Sequence, residues 1–502
     1  MWATYGSTRR PKRHCEKCTL PIDTVPAACY TNEFSVIPHY SFDTVTSLLR
    51  SLSLAFVLAI LLLVACEPPD PAEPAPEQAD WIQDGIVYEM FIPDFSEEGT
   101  FEGATENFDH LEDLNVTTIW LMPIHPIGEE RAKTDIGPLG SPYSIRDYYD
   151  VNPDYGSQED FQAFVDSAHA RDMRVIIDLV VNHTAWDHPW LEENPDWYEE
   201  GPIDGFTIPV LNGDTTDWTD VVQLDLQNEE VRTEMKNVMQ FWVDEFNIDG
   251  YRADVAHQVP LDFWDAAIDS VEAVKDPVFM LAEAAEPEMH DVGFDMTYSW
   301  PEYGTLLSLW EDGAPASDYV ESVVSHEAEL APPGQRLQFT TNHDETAWDA
   351  PPPELFGGLD GSEAAFVLVS SMPGAPLVYN GQELGVQDTV SFFEATPYDW
   401  DQENSLLPFY QEFLEVYAGS PALHRGELEI HSPNAEDALL YSRVAENDEM
   451  LFAVNVRDDE ASVSLPAEHT DRTWTDVFSG ETESLDELDL DPYEYRIFRA
   501  AE

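Results

Sequence analysis

Four short stretches place ionisable side chains just past runs of apolar residues: "DLVVNH" (178–183), "GYRADVAH" (250–257), "FMLAEA" (279–284) and "FTTNHD" (339–344). They supply Asp178, Asn182, His183, Arg252, Asp254, Glu283, His343 and Asp344. Any one of these alone reads as an ion pair or a helix cap. Together they read differently, because carboxyls gathered at one place resist joint ionisation unless a partner or a reaction uses them. A carboxyl pair can divide acid and base work between its members, and Arg252, two residues before Asp254, could hold that acid ionised.

The elements that must position these residues follow from periodicity. Eight strand-like runs occur: "IVYEMFI", "TTIWLMP", "RVIIDLVVNH", "DGYRADVA", "VFMLAEA", "FDMTYSW", "RLQFTTNHD" and "APLVYNGQE". Helix-like stretches lie between most of them. In "NEEVRTEMKNVMQFWVDEF", Val231, Met235, Val238 and Trp242 recur at three- and four-residue steps and make one apolar face. Strands alternating with helices predict an α/β fold, a (β/α)8 barrel, whose functional side chains sit at the C-terminal strand ends. The alternative, an open doubly wound sheet, would favour a glycine-rich phosphate loop after its first strand, and no such motif is present. Asp249 precedes Gly250, and strand alternation separates it from Asp254, so it reads as a residue at the start of the strand. The barrel is expected over 81–424, with a short insertion after strand three at about 184–220. From about Arg425 short strands and polar turns predict a C-terminal antiparallel β-sandwich over 425–502.

Composition narrows the setting. The 502 residues carry 100 Asp and Glu against 22 Lys and Arg, five of them Lys, for a net charge of −78. Such a surface repels itself at ordinary ionic strength, and molar salt removes most of the repulsion, so adaptation to high salt is expected. Nucleic acid is excluded as a partner by the same charge. The four cysteines, Cys15, Cys18, Cys29 and Cys66, all lie in the first 66 residues, so the body forms no disulfide. Cys15 and Cys18 form a lone CxxC without the second pair that a zinc site asks for.

The four stretches, in this order, resemble the signature regions of the α-amylase family, glycoside hydrolase family 13. "SPYSIRDYYDVNPDYGSQEDF", "VVQLDLQNEEV" and "SMPGAPLVYNGQELG" resemble three further segments of it, and the likeness runs from about Trp81 to the C-terminus. The resemblance implies a retaining hydrolase of α-1,4-glucans such as starch or maltodextrins. It implies Asp254 as nucleophile, Glu283 as acid/base with a raised pKa, and Asp344 as a third acid on the sugar hydroxyls. Arg252 would orient Asp254, His183 and His343 would bind the same sugar, Tyr143 would lie beneath it, and Asp178 would support the site. A transglycosylase or a cyclodextrin-degrading enzyme shares these residues, and a non-catalytic glucan-binding lipoprotein is the reading from another class. His257 and Gln258 stand where many members have Lys-His. No cofactor is firmly implied; calcium is the metal the resemblance raises, with Asn182 in the place of a ligand. Trp186, Trp190, Trp197, Tyr198 and Trp218 in the insertion are equally suited to stacking on sugar and to a satellite core.

Ahead of the barrel, Leu54–Ala65 is an apolar run too short to span a bilayer, and it suits a signal peptide. It ends at Leu63-Val64-Ala65-Cys66, which resembles a bacterial lipobox with Cys66 as the lipidated residue. Residues 1–66 are therefore expected to be an N-terminal extension plus signal peptide, and 67–80 a stiff Pro- and acid-rich linker. An exported lipoprotein, held at the cell surface or in the periplasm by a lipid anchor, is the expected setting.

Overall fold

The computed structural model describes residues 78–211, 213–400 and 406–501. The signal-like run, the cysteines including Cys66, and nearly all of the linker lie outside the described residues. From Glu77 onward the chain forms one compact unit.

Eight parallel strands close into a barrel in sequential order. They are β1 (Val87–Met90), β2 (Thr118–Leu121), β3 (Arg174–Leu179), β4 (Gly250–Ala253), β5 (Phe279–Ala282), β6 (Met296–Tyr298), β7 (Gln335–Gln338) and β8 (Ala375–Tyr379). Helices cover a barrel's strands on the outside and side chains fill its inside, so most strands are nearly unbroken apolar runs, while β7 (Gln-Arg-Leu-Gln) is mostly polar but buried after its first residue. All eight expected runs became strands. Their polar tails, such as Asn182–His183 and Asn342–Asp344, continue past the strand ends into a loop, the short strand His183–Ala185 or a helix start at the mouth.

The outer layer is built from α1 (Phe101–Glu106), α2 (Phe108–Asp113), α3 (Gln158–His169), α4 (Glu229–Phe246), α5 (Leu261–Glu272), α6 (Trp300–Glu311), α7 (Ala316–Glu327), α8 (Leu359–Ser370) and α9 (Leu407–Ala418). The expected face of α4 (Val231, Met235, Val238 and Trp242) is buried in full. Between β5 and β6 the connection is a short 3-10 segment, Pro287–Val292, in place of an α-helix. Proline at its start and Gly293 at φ 101° at its end leave no room for a longer helix.

The insertion after β3 forms two small antiparallel pairs and a short helix, Pro189–Glu193. Trp186, Trp190 and Tyr198 join the main core, which settles them as packing residues. Trp218 is partly open and lies 5.7 Å from the His183 ring.

Beyond the barrel, a six-stranded antiparallel sheet faces a two-stranded one. Alternation along its strands splits the apolar residues. Leu440, Leu451, Trp474 and Phe498 form the sandwich core, while Leu439, Tyr441, Phe452 and Ile497 pack into the barrel's core. Arg443 Nη1 donates to the Ser371 carbonyl at 2.7 Å, fastening this sheet to the end of α8.

Candidate active site

Asp178 on β3 and Arg252 on β4 are paired opposite each other, and both are buried. Arg252 Nη1 lies 2.9 and 3.1 Å from the Asp178 carboxylate oxygens and 3.1 Å from Asp254 Oδ1. Nη2 lies 3.0 Å from Glu283 Oε2. Nε donates to the Tyr298 hydroxyl at 3.2 Å, and the Trp120 ring lies 5.1 Å from the guanidinium carbon. One buried cation thus holds three carboxyls from the ends of three adjacent strands. Its fixed fork and permanent charge suit that task in a way a lysine would not.

The backbone sets the angle between the two acids that follow β4 and β5. Asp254 N–H donates to Leu179 O and Glu283 N–H to Ala253 O, both at 3.0 Å, so both chains stay in register past the strands. Val255 then turns into the left-handed region, at φ 40° and ψ 43°. A β-branched residue adopts this conformation only where its surroundings force it. The turn directs its N–H onto Glu283 Oε2 at 2.6 Å.

From the other side of the mouth come Tyr143, His343 and Asp344. Asn342 caps the short helix His343–Trp348 by accepting from Asp344 N–H and Glu345 N–H at 3.0 Å each, which fixes Asp344 in its first turn. Tyr143 OH lies 3.1 Å from Asp178 Oδ2 and 2.8 Å from His343 Nε2, and the two rings stack at 5.5 Å. His343 Nε2 is 3.5 Å from Asp344 Oδ2, while its Nδ1 meets the buried Glu89 of β1.

This arrangement matches a known family. The model of the α-amylase catalytic domain matches residues 78–208 and 215–302, and that of the maltogenic amylase C-terminal domain matches 428–497, together more than half of the chain. Over these residues the chain matches the α-amylase family of glycoside hydrolases. It is 28% identical to the α-amylase MalA of Haloarcula japonica over 429 residues, covering 80% of this chain but only 59% of that protein. It is 23% identical to α-amylase 3 of Dictyoglomus thermophilum over 488 residues, covering 82% of this chain and 92% of that one. The solved structure of the maltogenic α-amylase AmyB of Thermotoga neapolitana aligns with TM-score 0.75 at 26% identity, over 84% of this chain and 99% of the other. An α-amylase from Lactobacillus plantarum aligns with TM-score 0.74 at 26% identity, over 84% and 100%.

Within the family frame, burial dominates the electrostatics. It pushes Asp254 up, the nearby Glu283 charge adds to this, and Arg252 pulls the other way. Asp178 is raised for the same first reason, with Arg252 again opposing. Burial pushes Asp344 up to about 6, against the pull of His343. It holds His183 down to about 4, so that imidazole is neutral at neutral pH. Burial also raises Glu89 well above the carboxyl range and lowers His343. The raised Glu89 and lowered His343 favour one arrangement of protons. Neutral Glu89 donates to His343 Nδ1, Nε2–H donates to the Tyr143 oxygen, and Tyr143 O–H donates to Asp178.

The structure brings Tyr143, Asp178, Arg252, Asp254, Glu283, His343 and Asp344 into one contact network, and His183 lies behind it against Trp218. Asp249 is elsewhere, at the opening of β4. It accepts from His169 at 2.7 Å, Lys275 at 2.9 Å and Val175 N–H at 2.8 Å. Burial would raise it, but these donors together lower it, as a structural carboxylate requires. Asn182 is buried, its side-chain nitrogen 3.3 Å from His183 Nδ1 and its carbonyl accepting from Leu224 N–H. Among the described residues no group of three or more His, Cys, Asp or Glu could hold a metal. Glu89, Trp120, Tyr298 and Phe392 were missed from sequence. For Glu89 a signal existed: it is the one acid inside the apolar run of β1, and a fully buried acid needs a partner.

Proposed function

We propose that the protein is a retaining glycoside hydrolase that cleaves α-1,4-glucosidic bonds of starch, maltodextrins or related α-glucans. Asp254 attacks the anomeric carbon while Glu283, as the acid, protonates the leaving oxygen. Glu283 then takes a proton from water, which hydrolyses the glycosyl ester on Asp254 and restores the original configuration. The supporting observation is the single guanidinium of Arg252, which meets Asp254 with one nitrogen and Glu283 with the other. Such a bridge suits the separation of about 5–5.5 Å in retaining enzymes better than the roughly 6.5–9.5 Å that an inverting water requires. Asp344, His183 and His343 bind hydroxyls of the same sugar, Tyr143 forms the floor beneath it, and Asp178 keeps Arg252 in place. Asp254→Asn and Glu283→Gln each lower kcat on soluble starch by at least about a thousandfold in molar salt. Equal turnover in all three proteins would remove this assignment, and no turnover in any of them would leave a non-catalytic glucan-binding protein.

A second reading, transfer of the glycosyl unit or opening of cyclodextrins, uses the same residues. It is supported by 23% identity over 450 residues to a protein named cyclomaltodextrinase from Geobacillus thermopakistaniensis. Products from starch, maltodextrin, pullulan and cyclodextrin in molar salt decide between them: shorter linear sugars alone mean hydrolysis, and longer ones mean transfer.

The setting we infer is an exported lipoprotein of a salt-adapted cell, anchored by the lipid on Cys66. The lipobox-like Leu63–Cys66 and the charge of −78 support it. Among the described residues no helix is long and apolar enough to cross a membrane. Cys66→Ser releases the protein from the membrane fraction if this is correct and leaves its distribution unchanged if it is not.

A further inference from the structure

An aromatic track leads out of the candidate active site. Phe392 lies 5.5 Å from the His343 ring and 6.1 Å from Tyr143, and Phe393 stacks on Phe392 at 4.7 Å. Trp348 meets both edge-on, at 6.1 and 5.7 Å, and ends the short helix that begins at His343. The turn that carries the two phenylalanines is held at both ends. Ser391 Oγ accepts from Phe393 N–H at 3.2 Å, and the Phe393 carbonyl accepts from Leu139 N–H at 2.9 Å. Gly137 packs so closely on Phe393 that a Cβ there would lie 2.3 Å from that carbonyl oxygen, which ties the loop after β2 to this turn.

Trp348 is 47% exposed and Ile136, on the loop after β2, is 43% exposed. The other strongly exposed large apolar side chains among the described residues lie on other elements. Leu261 is on α5, Val274 just past it, Val324 on α7 and Phe478 in the C-terminal domain. Trp348 therefore stands apart by its place, at the outer end of a track from the reacting acids. The flat C–H faces of glucose can pack on an aromatic ring, burying apolar area without any charge. That attraction survives molar salt, where charge-based recognition is screened.

We propose that Trp348, backed by Phe392 and Phe393, is a stacking platform for a glucosyl unit of the substrate chain beyond the one held at Asp254. The inference rests on the proposed α-glucan function and adds a preference for chains long enough to reach the platform.

The test is binding to the catalytically silenced Asp254→Asn protein in molar salt, by calorimetry, with maltotriose and maltoheptaose. Adding Trp348→Ala lowers the ratio of maltoheptaose to maltotriose affinity roughly tenfold, equivalent to about 1.4 kcal/mol. Trp348→Phe restores most of that ratio, and Leu261→Ala, similarly open to solvent on α5, leaves it unchanged. The proposal is overturned if both sugars weaken equally or neither changes. It is also overturned if Trp348→Ala instead turns a dimer into a monomer in sedimentation, which would make the patch a contact between copies. Failure of the hydrolase reading shows up separately, as undiminished turnover by Asp254→Asn.

Discussion

Glu89 shows how a single side chain can matter without touching substrate. Its Oε1 meets His343 Nδ1, while Oε2 is buried without a hydrogen-bond partner among the described residues. A neutral Glu89 fixes the His343 tautomer, so Glu89→Gln, which keeps the shape and a hydrogen-bond donor, retains most of kcat/KM. Glu89→Ala lets the imidazole turn and loses roughly tenfold to a hundredfold, as small misplacements do. Equal losses in both variants would mean that the site needs the charge. Asp344 carries a pH prediction. Its carboxyl titrates at about 6 in the folded chain, above the ordinary value of 3.8. The folded state therefore holds this proton more tightly than the unfolded state does. Stability from this group is lost as pH rises from about 4 to about 6, and the full penalty stands above that. Asp344→Asn removes the penalty, so its Tm exceeds that of the parent at pH 8 and the gain shrinks toward pH 5. A gain that is constant with pH would contradict the assignment. In the parent, kcat/KM falls as pH drops through about 6, because Asp344 must be ionised to bind the sugar hydroxyls.

At the scale of elements, β4 and β5 position the two acids proposed to react, and their contact depends on Gly250. A Cβ there would lie 1.9 Å from the Phe279 carbonyl oxygen, inside the strand pair itself. Gly250→Ala must push β4 and β5 apart, costing about 1–3 kcal/mol and shifting Asp254 relative to Glu283. A lowered Tm together with reduced kcat is expected, and unchanged values of both would contradict this view of the pair. The barrel was legible in sequence because strands covered on both faces leave unbroken apolar runs, and α4 because its apolar residues recur at helical steps. The acids were legible because they end those runs. Glu89 was missed because it lies within one, where its burial is decided by a partner on the loop after β7, far along the chain. Phe392, Phe393 and Trp348 were missed because loops carry no period. The insertion's tryptophans could not be sorted from sequence, since only tertiary contacts separate Trp190 in the core from Trp218 beside His183.

The whole molecule carries a net charge of −78, and salt governs how strongly that charge opposes the fold. The Debye length falls from about 10 Å at 0.1 M to about 3 Å at 1 M, so Tm rises over that range of KCl. A Tm that does not change with salt would remove the case for salt adaptation. The central claim is that Asp254 forms a covalent bond to the sugar while Glu283 serves as the acid. It is tested most directly by intact-mass spectrometry of the Glu283→Gln protein incubated with α-maltosyl fluoride, whose leaving group needs no acid. The account predicts a mass gain of one maltosyl unit, located on the peptide that contains Asp254 and absent when Asp254→Asn is added. No adduct, or an adduct that persists in the double variant, would contradict it.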